Sequence, residues 1–269
     1  MVPELKDIME MLDKTAPFSF AEKWDNSGLQ VGYPSHKIKK ILVALDPTVK
    51  AVKYASNRNA QLLLTHHPLI FEPVSQVNPM TYPGDVINEA LLRRISIVAV
   101  HTNLDAANGG INDILANKFG LKGVEPLGEK GFSDNDNPGI GRIGYLPEAL
   151  DMTSLIKKIK KVLNSKKIMV VGSENRKIKR VAVIGGSSGG MITLASKRKA
   201  DLLITGDIKH DEALLAESLN LALIGGGHFK TEKVALDFFA DYLNKKMKES
   251  EWSINLESFD KEREPMRYM

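Results

Sequence analysis

Short apolar runs alternate with longer amphipathic stretches along the chain. Each apolar run ends in polar or turn-forming residues, which is typical of buried strands, and the stretches between have helical spacing. The first half has predicted strands in KKILVALD, AQLLLTHH and ISIVAVH, with helices in AVKYASNRN and INDILANKFG. The second half has strands in KRVAVIGG, ADLLITGD and LALIGGGH, with helices in ITLASKRK, HDEALLAESL and EKVALDFFADYLNKKM. This alternation predicts an α/β fold with a mostly parallel sheet.

The two halves of the sequence resemble each other. Ile38–Thr65 aligns with Ile178–Thr205 at a constant shift of 140 residues, with ten identities in 28 positions. Shared composition explains some matches, but an ungapped match across strand, helix and strand favours duplication. We therefore predict two similar α/β lobes related by internal duplication, residues 1–128 and 129–269, with a cleft between them. The junction, EPLGEKGFSDNDNPGIGRIGYLPEAL, is predicted to be a loop and then a short strand.

Composition excludes several classes of protein. The 269 residues are 43% hydrophobic and 26% charged, as in ordinary globular proteins. The absence of cysteine excludes disulfides, thiolate zinc sites and cysteine nucleophiles. The sequence has no signal-peptide pattern and no run near the roughly 20 apolar residues of a membrane span, so we expect a cytoplasmic protein. The net charge of +4 neither supports nor excludes nucleic-acid binding, and LIKKIKKVLNSKK fits a solvated basic helix face.

Four histidines lie where predicted strands end. His66 and His67 close the second strand, and His101 and His228 close ISIVAVH and LALIGGGH. In open α/β sheets, ligands bind beyond the carboxyl ends of the strands. A carboxylate follows two of these histidines at the same interval, in HTNLD and HFKTE. A lone histidine is more often structural than a ligand, but this repeated arrangement indicates a metal site in the cleft.

The histidine doublet has a geometric explanation. Successive residues of a strand point to opposite faces, so His66 and His67 would not easily share one ion but could diverge towards two neighbouring metals. Pro68 restricts His67 to an extended backbone, which helps to fix that divergence. Imidazole and carboxylate ligands suit Zn, Mn, Fe, Co or Ni. A carboxylate such as Glu232 can bridge two ions.

Two glycine-rich motifs have different contexts. GIGRIG, residues 139–144, matches a dinucleotide-binding pattern, but no strand precedes it and no helix follows, so a closely packed strand is the better interpretation. GGSSGG, residues 185–190, follows a predicted strand and opens a predicted helix. It could bind an anion or form a tight structural turn, and the sequence does not separate these alternatives.

TGDIKHDEA adds two candidates for catalysis. Asp207 aligns with His67 under the shift of 140, so it is a candidate partner of a metal ligand or a proton acceptor. His210 could act as a general acid or base near neutral pH. The alternative is that Asp207 and Asp211 help to start a helix.

Six blocks in order resemble the Nif-three-like family, known as type 2 GTP cyclohydrolase I. They are WDNSGLQVG, THHPLIF, HTNLDAANGGIND, GIGRIGYL, TGDIKHDEA and GHFKTEK, and they span nearly the whole chain. The resemblance implies a two-lobed α/β fold with a dinuclear metal centre between the lobes. It also implies a homohexameric ring built as a trimer of dimers. Some family members carry an inserted domain between the lobes, which is absent from this chain.

The resemblance also implies a ligand set. His67 and Asp105 would bind one ion, His66 and His228 the other, and Glu232 would bridge both. His101 would be a ligand or a neighbour that orients one.

Two functions remain open at this point. The first is a metal-dependent hydrolase of a nucleotide or phosphoester. The reaction that the resemblance implies is opening of the guanine ring of GTP with loss of formate. The second is a non-catalytic metal-binding scaffold, metal-delivery protein or regulatory ring.

Overall fold

The computed structural model describes residues 1–128, 138–188 and 190–266, which form an α/β fold. In chain order, the helices are α1 (Leu5–Thr15), α2 (Val49–Asn57), α3 (Gly84–Leu92), α4 (Thr102–Ala106), α5 (Ile111–Lys118), α6 (Met152–Val162), α7 (Ile192–Lys197), α8 (His210–Ser218) and α9 (His228–Glu249). The strands are β1 (Gly28–Val31), β2 (Lys40–Ala44), β3 (Leu62–Thr65), β4 (Ser96–Ala99), β5 (Lys122–Pro126), β6 (Arg142–Asp151), β7 (Met169–Val171), β8 (Lys177–Val183), β9 (Leu202–Thr205), β10 (Ala222–Gly225) and β11 (Asn255–Ser258).

The chain divides into two compact units. The first contains residues 1–104 and 236–269, and the second contains residues 105–235. These boundaries differ from the one predicted from the sequence, which lies between residues 128 and 129. Strand pairing explains the boundaries: β11 pairs with β2, which places the C-terminal segment in the first unit, and β5 pairs with β6, which places residues 122–126 in the second. Part of the predicted junction, residues 129–137, lies outside the described residues.

In the part of the chain that the structure describes, the sheet of the first unit has the order β1-β4-β3-β2-β11. All neighbours are parallel except β1 and β4. Strands β3 and β4 are buried at every position, as expected of parallel strands covered on both faces. Buried residues of α2 and α3 join one face of the sheet in a single hydrophobic core. Strand β2 continues into Leu45 and Asp46, whose backbone N–H groups donate to the Glu262 carboxylate at 2.9 and 2.8 Å.

The sheet of the second unit has the order β5-β6-β8-β9-β10-β7 among the described residues. Only the β8–β9 and β9–β10 pairs are parallel there, so this sheet is mixed and the prediction of a mostly parallel sheet is wrong for it. The reason is the long strand β6, which returns antiparallel to β8 and adds β5 at the edge. Helices α7 and α8 contribute buried residues to the core of this unit.

The two units share one order of connection. The first runs β2–α2–β3–α3–β4 and the second runs β8–α7–β9–α8–β10, and in each the three strands are parallel neighbours. A short strand, β1 or β7, lies antiparallel to the last of the three. The six strands that the apolar runs predicted are confirmed. No helix of the described residues is both long and apolar enough to span a bilayer.

Candidate metal centre

The first unit brings three histidines together at the carboxyl ends of two neighbouring strands. His66 and His67 follow β3, and His101 lies two residues after β4, the parallel neighbour of β3. Each offers a ring nitrogen, and these donor atoms lie within 4.8 Å of one another. His66 is fully buried, whereas His67 and His101 are partly exposed. The ring centroids are 5.2 to 5.5 Å apart.

An oxygen atom fixes the Nδ1 side of each of these rings. His66 Nδ1 is 2.8 Å from the carbonyl oxygen of Val100. Because a carbonyl can only accept, His66 Nδ1 carries a proton and donates it to Val100. His67 Nδ1 is 2.8 Å from Asp46 Oδ1, which favours the same tautomer. Metal-binding histidines commonly donate the other ring N–H to a carbonyl or carboxylate in this way.

Asp25 orients the third histidine. Its Oδ1 is 2.8 Å from His101 Nδ1, and its Oδ2 accepts from Thr102 N at 3.1 Å and Ser27 Oγ at 2.8 Å. Burial alone would raise the pKa of the Asp25 carboxyl, but the hydrogen bonds from His101, Thr102 and Ser27 outweigh it and hold the pKa well below its usual range. Asp25 is therefore a fixed carboxylate that holds the His101 ring.

The second unit pairs His228 with two carboxylates. His228 is the first residue of α9, after β10, and its Nδ1 is 2.7 Å from Asp207 Oδ2. Its Nε2 is 3.1 Å from Glu232 Oε1, one helical turn further on. Burial lowers the pKa of His228, but hydrogen bonds to Asp207 and Glu232 outweigh it and raise the pKa to about 10. The two carboxylates therefore favour the protonated form of the His228 ring.

A glycine turn after β8 supports this pair. Gly186 has φ +63°, and a Cβ atom added there would lie 2.1 Å from Glu232 Oε1 and 3.2 Å from His228 Nε2. The Gly186 carbonyl accepts from Gly206 N at 2.7 Å and Asp207 N at 3.1 Å. The glycine is needed here because the buried Glu232 carboxylate occupies the space of any larger side chain. The anion-binding alternative for GGSSGG is not decided, since Gly189 lies outside the described residues.

Asn112 ties the backbone of Asp105 to the same turn. Its Nδ2 donates to the Asp105 carbonyl at 3.0 Å, and its Oδ1 accepts from Gly185 N at 2.9 Å. Asn112 is fully buried, and Asp105 is 7% exposed. A buried amide that satisfies both backbone groups holds the two segments at a fixed separation.

The buried Arg142 explains the GIGRIG motif. Its guanidinium donates to Asp113 Oδ1 at 2.7 Å and to the carbonyls of Ala106 and Ala107 at 2.9 and 3.0 Å. It therefore supports the segment that directly follows Asp105. The motif starts β6 and no helix follows it, so the prediction of a closely packed strand is confirmed.

Three further residues predicted from the sequence are Asp105, Asp207 and His210. Asp105 lies in α4, which begins directly after His101. Asp207 contacts a candidate ligand, as one of its two interpretations expected. His210 is exposed at the start of α8, where Glu212, and not Asp207 or Asp211, accepts from the backbone N–H at the helix start.

Sequence reasoning missed Asp25, Asp46, Asn112 and Arg142. One usable signal was present in the sequence. Asp46 precedes His67 by 21 residues, and Asp207 precedes His228 by the same interval. Asp25 and His101 are 76 residues apart in the chain and have no comparable signal.

These features define a class of α/β proteins with histidine–carboxylate sets at the strand ends of two units. The chain belongs to the Duf34/NIF3 (NGG1p interacting factor 3) family, which matches residues 3–265 and confirms the resemblance seen in the sequence. A Clostridium perfringens protein named GTP cyclohydrolase 1 type 2 homolog is 35% identical over 230 residues, 85% of this chain and 87% of its own length. The Helicobacter pylori GTP cyclohydrolase 1 type 2 is 33% identical over 232 residues, 85% of this chain and 87% of its own length.

Solved structures have the same fold. A NIF3-related protein of Bacillus cereus superposes with a TM-score of 0.92 at 23% identity, covering 100% of this chain and 99% of its own. A Staphylococcus aureus protein gives 0.91 at 29% identity and covers 99% of both chains.

Proposed function

We propose that this protein is a metal-dependent hydrolase that binds two divalent ions. In this proposal His67 and Asp105 would hold one ion, His66 and His228 would hold the other, Glu232 would be shared between them, and His101 would be an additional ligand or a neighbour. The donor set of imidazoles and carboxylates suits Zn, Mn, Fe, Co or Ni. The same proposal includes an ancient duplication of the two units, supported by their common order of strands and helices.

The observation that carries the proposal is the state of the four histidine rings. In His66, His67, His101 and His228, a carbonyl or carboxylate oxygen lies 2.7 to 2.8 Å from Nδ1. Each ring is thereby held in a fixed orientation through its Nδ1 side, as is common for metal-binding histidines. Four histidine rings that all contact an oxygen atom through Nδ1 are expected of a metal site more than of a packed core.

The His228–Glu232 pair fits a cation. His228 Nε2 and Glu232 Oε1 are 3.1 Å apart, and the carboxylates beside the ring raise the pKa of His228, which favours the ring with a proton on Nε2. A divalent ion can replace this proton, because both atoms then act as ligands to a positive charge. When bound, two such ions supply a water molecule of lowered pKa and positive charge near a developing oxyanion.

The chain itself supplies orientation. Asp25, Asp46 and Asp207 each hold one imidazole, and the Gly186 carbonyl holds the backbone of Asp207. Asp207 is thus a positioning group in this proposal, and His210 remains the candidate for proton transfer. The names of the relatives make GTP the first substrate to test, followed by other nucleotides and simple phosphoesters.

The test combines metal analysis with turnover. The purified protein is analysed for transition metals, loaded with Zn, Mn, Fe, Co or Ni, and assayed for formate release from GTP and for phosphate release from phosphoesters. We expect turnover that Glu232→Ala abolishes and that Glu217→Ala, on the exposed surface of α8, leaves unchanged. Loss of metal in Glu232→Ala with every assay at background would instead favour the non-catalytic scaffold. Native protein without a transition metal would contradict both.

A hexameric ring is part of the proposal and has a separate test. Size-exclusion chromatography with light scattering should give about six times the chain mass of 29.7 kDa.

A further inference from the structure

Two aromatic side chains lie exposed beside the histidine cluster of the first unit. Trp24 is 56% exposed and Phe71 is 51% exposed. Their ring centroids are 5.6 Å apart and the ring planes are inclined by 41°, so the two rings form one continuous surface. We call this pair the aromatic platform.

The platform borders a candidate metal ligand. The His101 ring centroid is 6.0 Å from that of Trp24 and 6.3 Å from that of Phe71, with both rings nearly edge-on to the imidazole. Asp25, the neighbour of Trp24, holds the other side of the His101 ring. The aromatic surface and the histidine cluster are therefore parts of one site.

Side-chain amides hold the platform together. Asn26 Nδ2 donates to the Ile70 carbonyl at 2.6 Å, and Gln30 Oε1 accepts from Ile70 N at 3.1 Å. Gln30 Nε2 also donates to the Asn26 carbonyl at 2.7 Å. These bonds join the segment that carries Phe71 to the segment that carries Trp24. The rings therefore occupy defined positions although half of their surface faces solvent.

Such a surface suits one kind of ligand. Exposed aromatic rings keep apolar area in water, and a planar ring that stacks on them removes that area and adds a favourable ring–ring contact. Bases of every type bind such surfaces, because each has a flat π-face. A simple phosphoester without a ring gains nothing from it.

We propose that the aromatic platform of Trp24 and Phe71 binds a planar heteroaromatic ring of the substrate next to the histidine cluster. The inference rests on the proposed function and narrows it, because it selects a nucleotide over a simple phosphoester. It assigns to Trp24 and Phe71 the role of specificity-determining residues, while the metal ligands carry the chemistry.

Fluorescence tests this directly. The chain has two tryptophans, so Trp252→Phe leaves Trp24 as the reporter. GTP and ATP are titrated into metal-free and zinc-loaded protein, with inorganic triphosphate and ribose 5-phosphate as probes without a base. We expect saturable quenching by both nucleotides and none by the other two. If Trp252→Phe does not fold, the difference in emission between the native protein and Trp24→Leu gives the same measurement.

A matched pair of variants tests the second ring. Phe71→Leu should weaken nucleotide binding by about five- to hundredfold. Phe238→Leu, at a phenylalanine of α9 that is 53% exposed, should leave it unchanged. Circular dichroism confirms that both variants fold.

Three results would overturn the inference. The first is equal quenching by triphosphate and by nucleotides, and the second is unchanged binding in Phe71→Leu. The third is an emission of Trp24 that changes with protein concentration and not with nucleotide, which would assign the platform to a second copy of the chain. Ring binding is measured without turnover, so it can fail while phosphoester hydrolysis persists, or succeed while every hydrolysis assay stays at background.

Discussion

The turn at Gly186 offers a sharp test of the proposed metal centre through the substitution Gly186→Ala. The new Cβ atom would lie 2.1 Å from Glu232 Oε1. Because nonbonded atoms pack at roughly 3.5 Å, the carboxylate would have to move by roughly 1.4 Å. The Gly186 backbone cannot easily retreat, since its carbonyl accepts two hydrogen bonds from residues 206 and 207. A shift of this size would take the Glu232 carboxylate out of reach of an ion held in the proposed centre.

The expected loss of zinc affinity can be separated from the effect of backbone strain on stability. Gly186 has φ +63°, and alanine in this left-handed region costs about 1 kcal/mol of folding free energy. Gly190→Ala is the matched control, because Gly190 has φ +84° and its added Cβ would meet nothing within 4 Å. Without metal, both variants should lose about 1 kcal/mol of stability to backbone strain, and Gly186→Ala should lose about 1–3 kcal/mol more to overpacking. Only Gly186→Ala should bind zinc about 100-fold more weakly or worse.

Isothermal titration with zinc, elemental analysis after dialysis, and thermal unfolding with and without metal measure these effects. The native protein and Gly190→Ala should gain stability on adding metal, while Gly186→Ala should not. Equal zinc affinity in the two variants would refute the reasoning that Glu232 is a ligand held against this turn.

Three further predictions concern other contacts of the two units. Asn112→Leu leaves two buried backbone groups without their partner, so we expect a loss of about 2–4 kcal/mol in the free energy of unfolding and weaker metal binding. Gln61→Leu is the control, because it removes a similar amide bridge before β3 and should lower stability alone. Urea unfolding and zinc titration measure both effects. Asp207→Asn should reduce zinc affinity by about 10- to 100-fold in chelator competition, because the His228 ring loses the negative charge of the Asp207 carboxylate at its Nδ1. The pKa of Glu257 is lowered chiefly by its hydrogen bond to Lys40, against the effect of burial, so its stabilisation is present above the usual glutamate pKa and is lost as pH falls through the lowered value. Glu257→Gln should therefore cost less than about 1 kcal/mol at pH 7, and urea unfolding should show the difference closing below about pH 4.

The local pattern of apolar residues predicted the central strands of both sheets. The buried strands β2, β3, β4, β8, β9 and β10 were visible as apolar runs, because strands covered on both faces need apolar residues at every position. The short antiparallel strands β1 and β7 have few residues and mixed burial, so their pattern is weak. Strand β11 is defined by pairing with β2, more than 200 residues earlier in the chain, and no local pattern encodes such a pairing.

Residue type and position predicted part of the candidate site, but the sequence did not reveal contacts between residues that lie far apart in the chain. The histidines at strand ends were found because the ends of parallel strands meet at one edge of a sheet. Asp25 was missed as the partner of His101, since its role arises only when residues 76 positions apart fold together. Asn112 and Arg142 were missed because they act through backbone carbonyls, which any sequence supplies.

The carboxylate of Glu262 has a consequence for synthesis of the protein. It binds the backbone of Leu45 and Asp46, and β11 lies beside β2, so the sheet of the first unit is finished by residues near the end of the chain. On the ribosome, residues 105–235 are complete and contiguous well before that. The sheet whose first strands are translated early is therefore completed last, and the unpaired backbone edge of β2 has to be kept from pairing wrongly until β11 emerges.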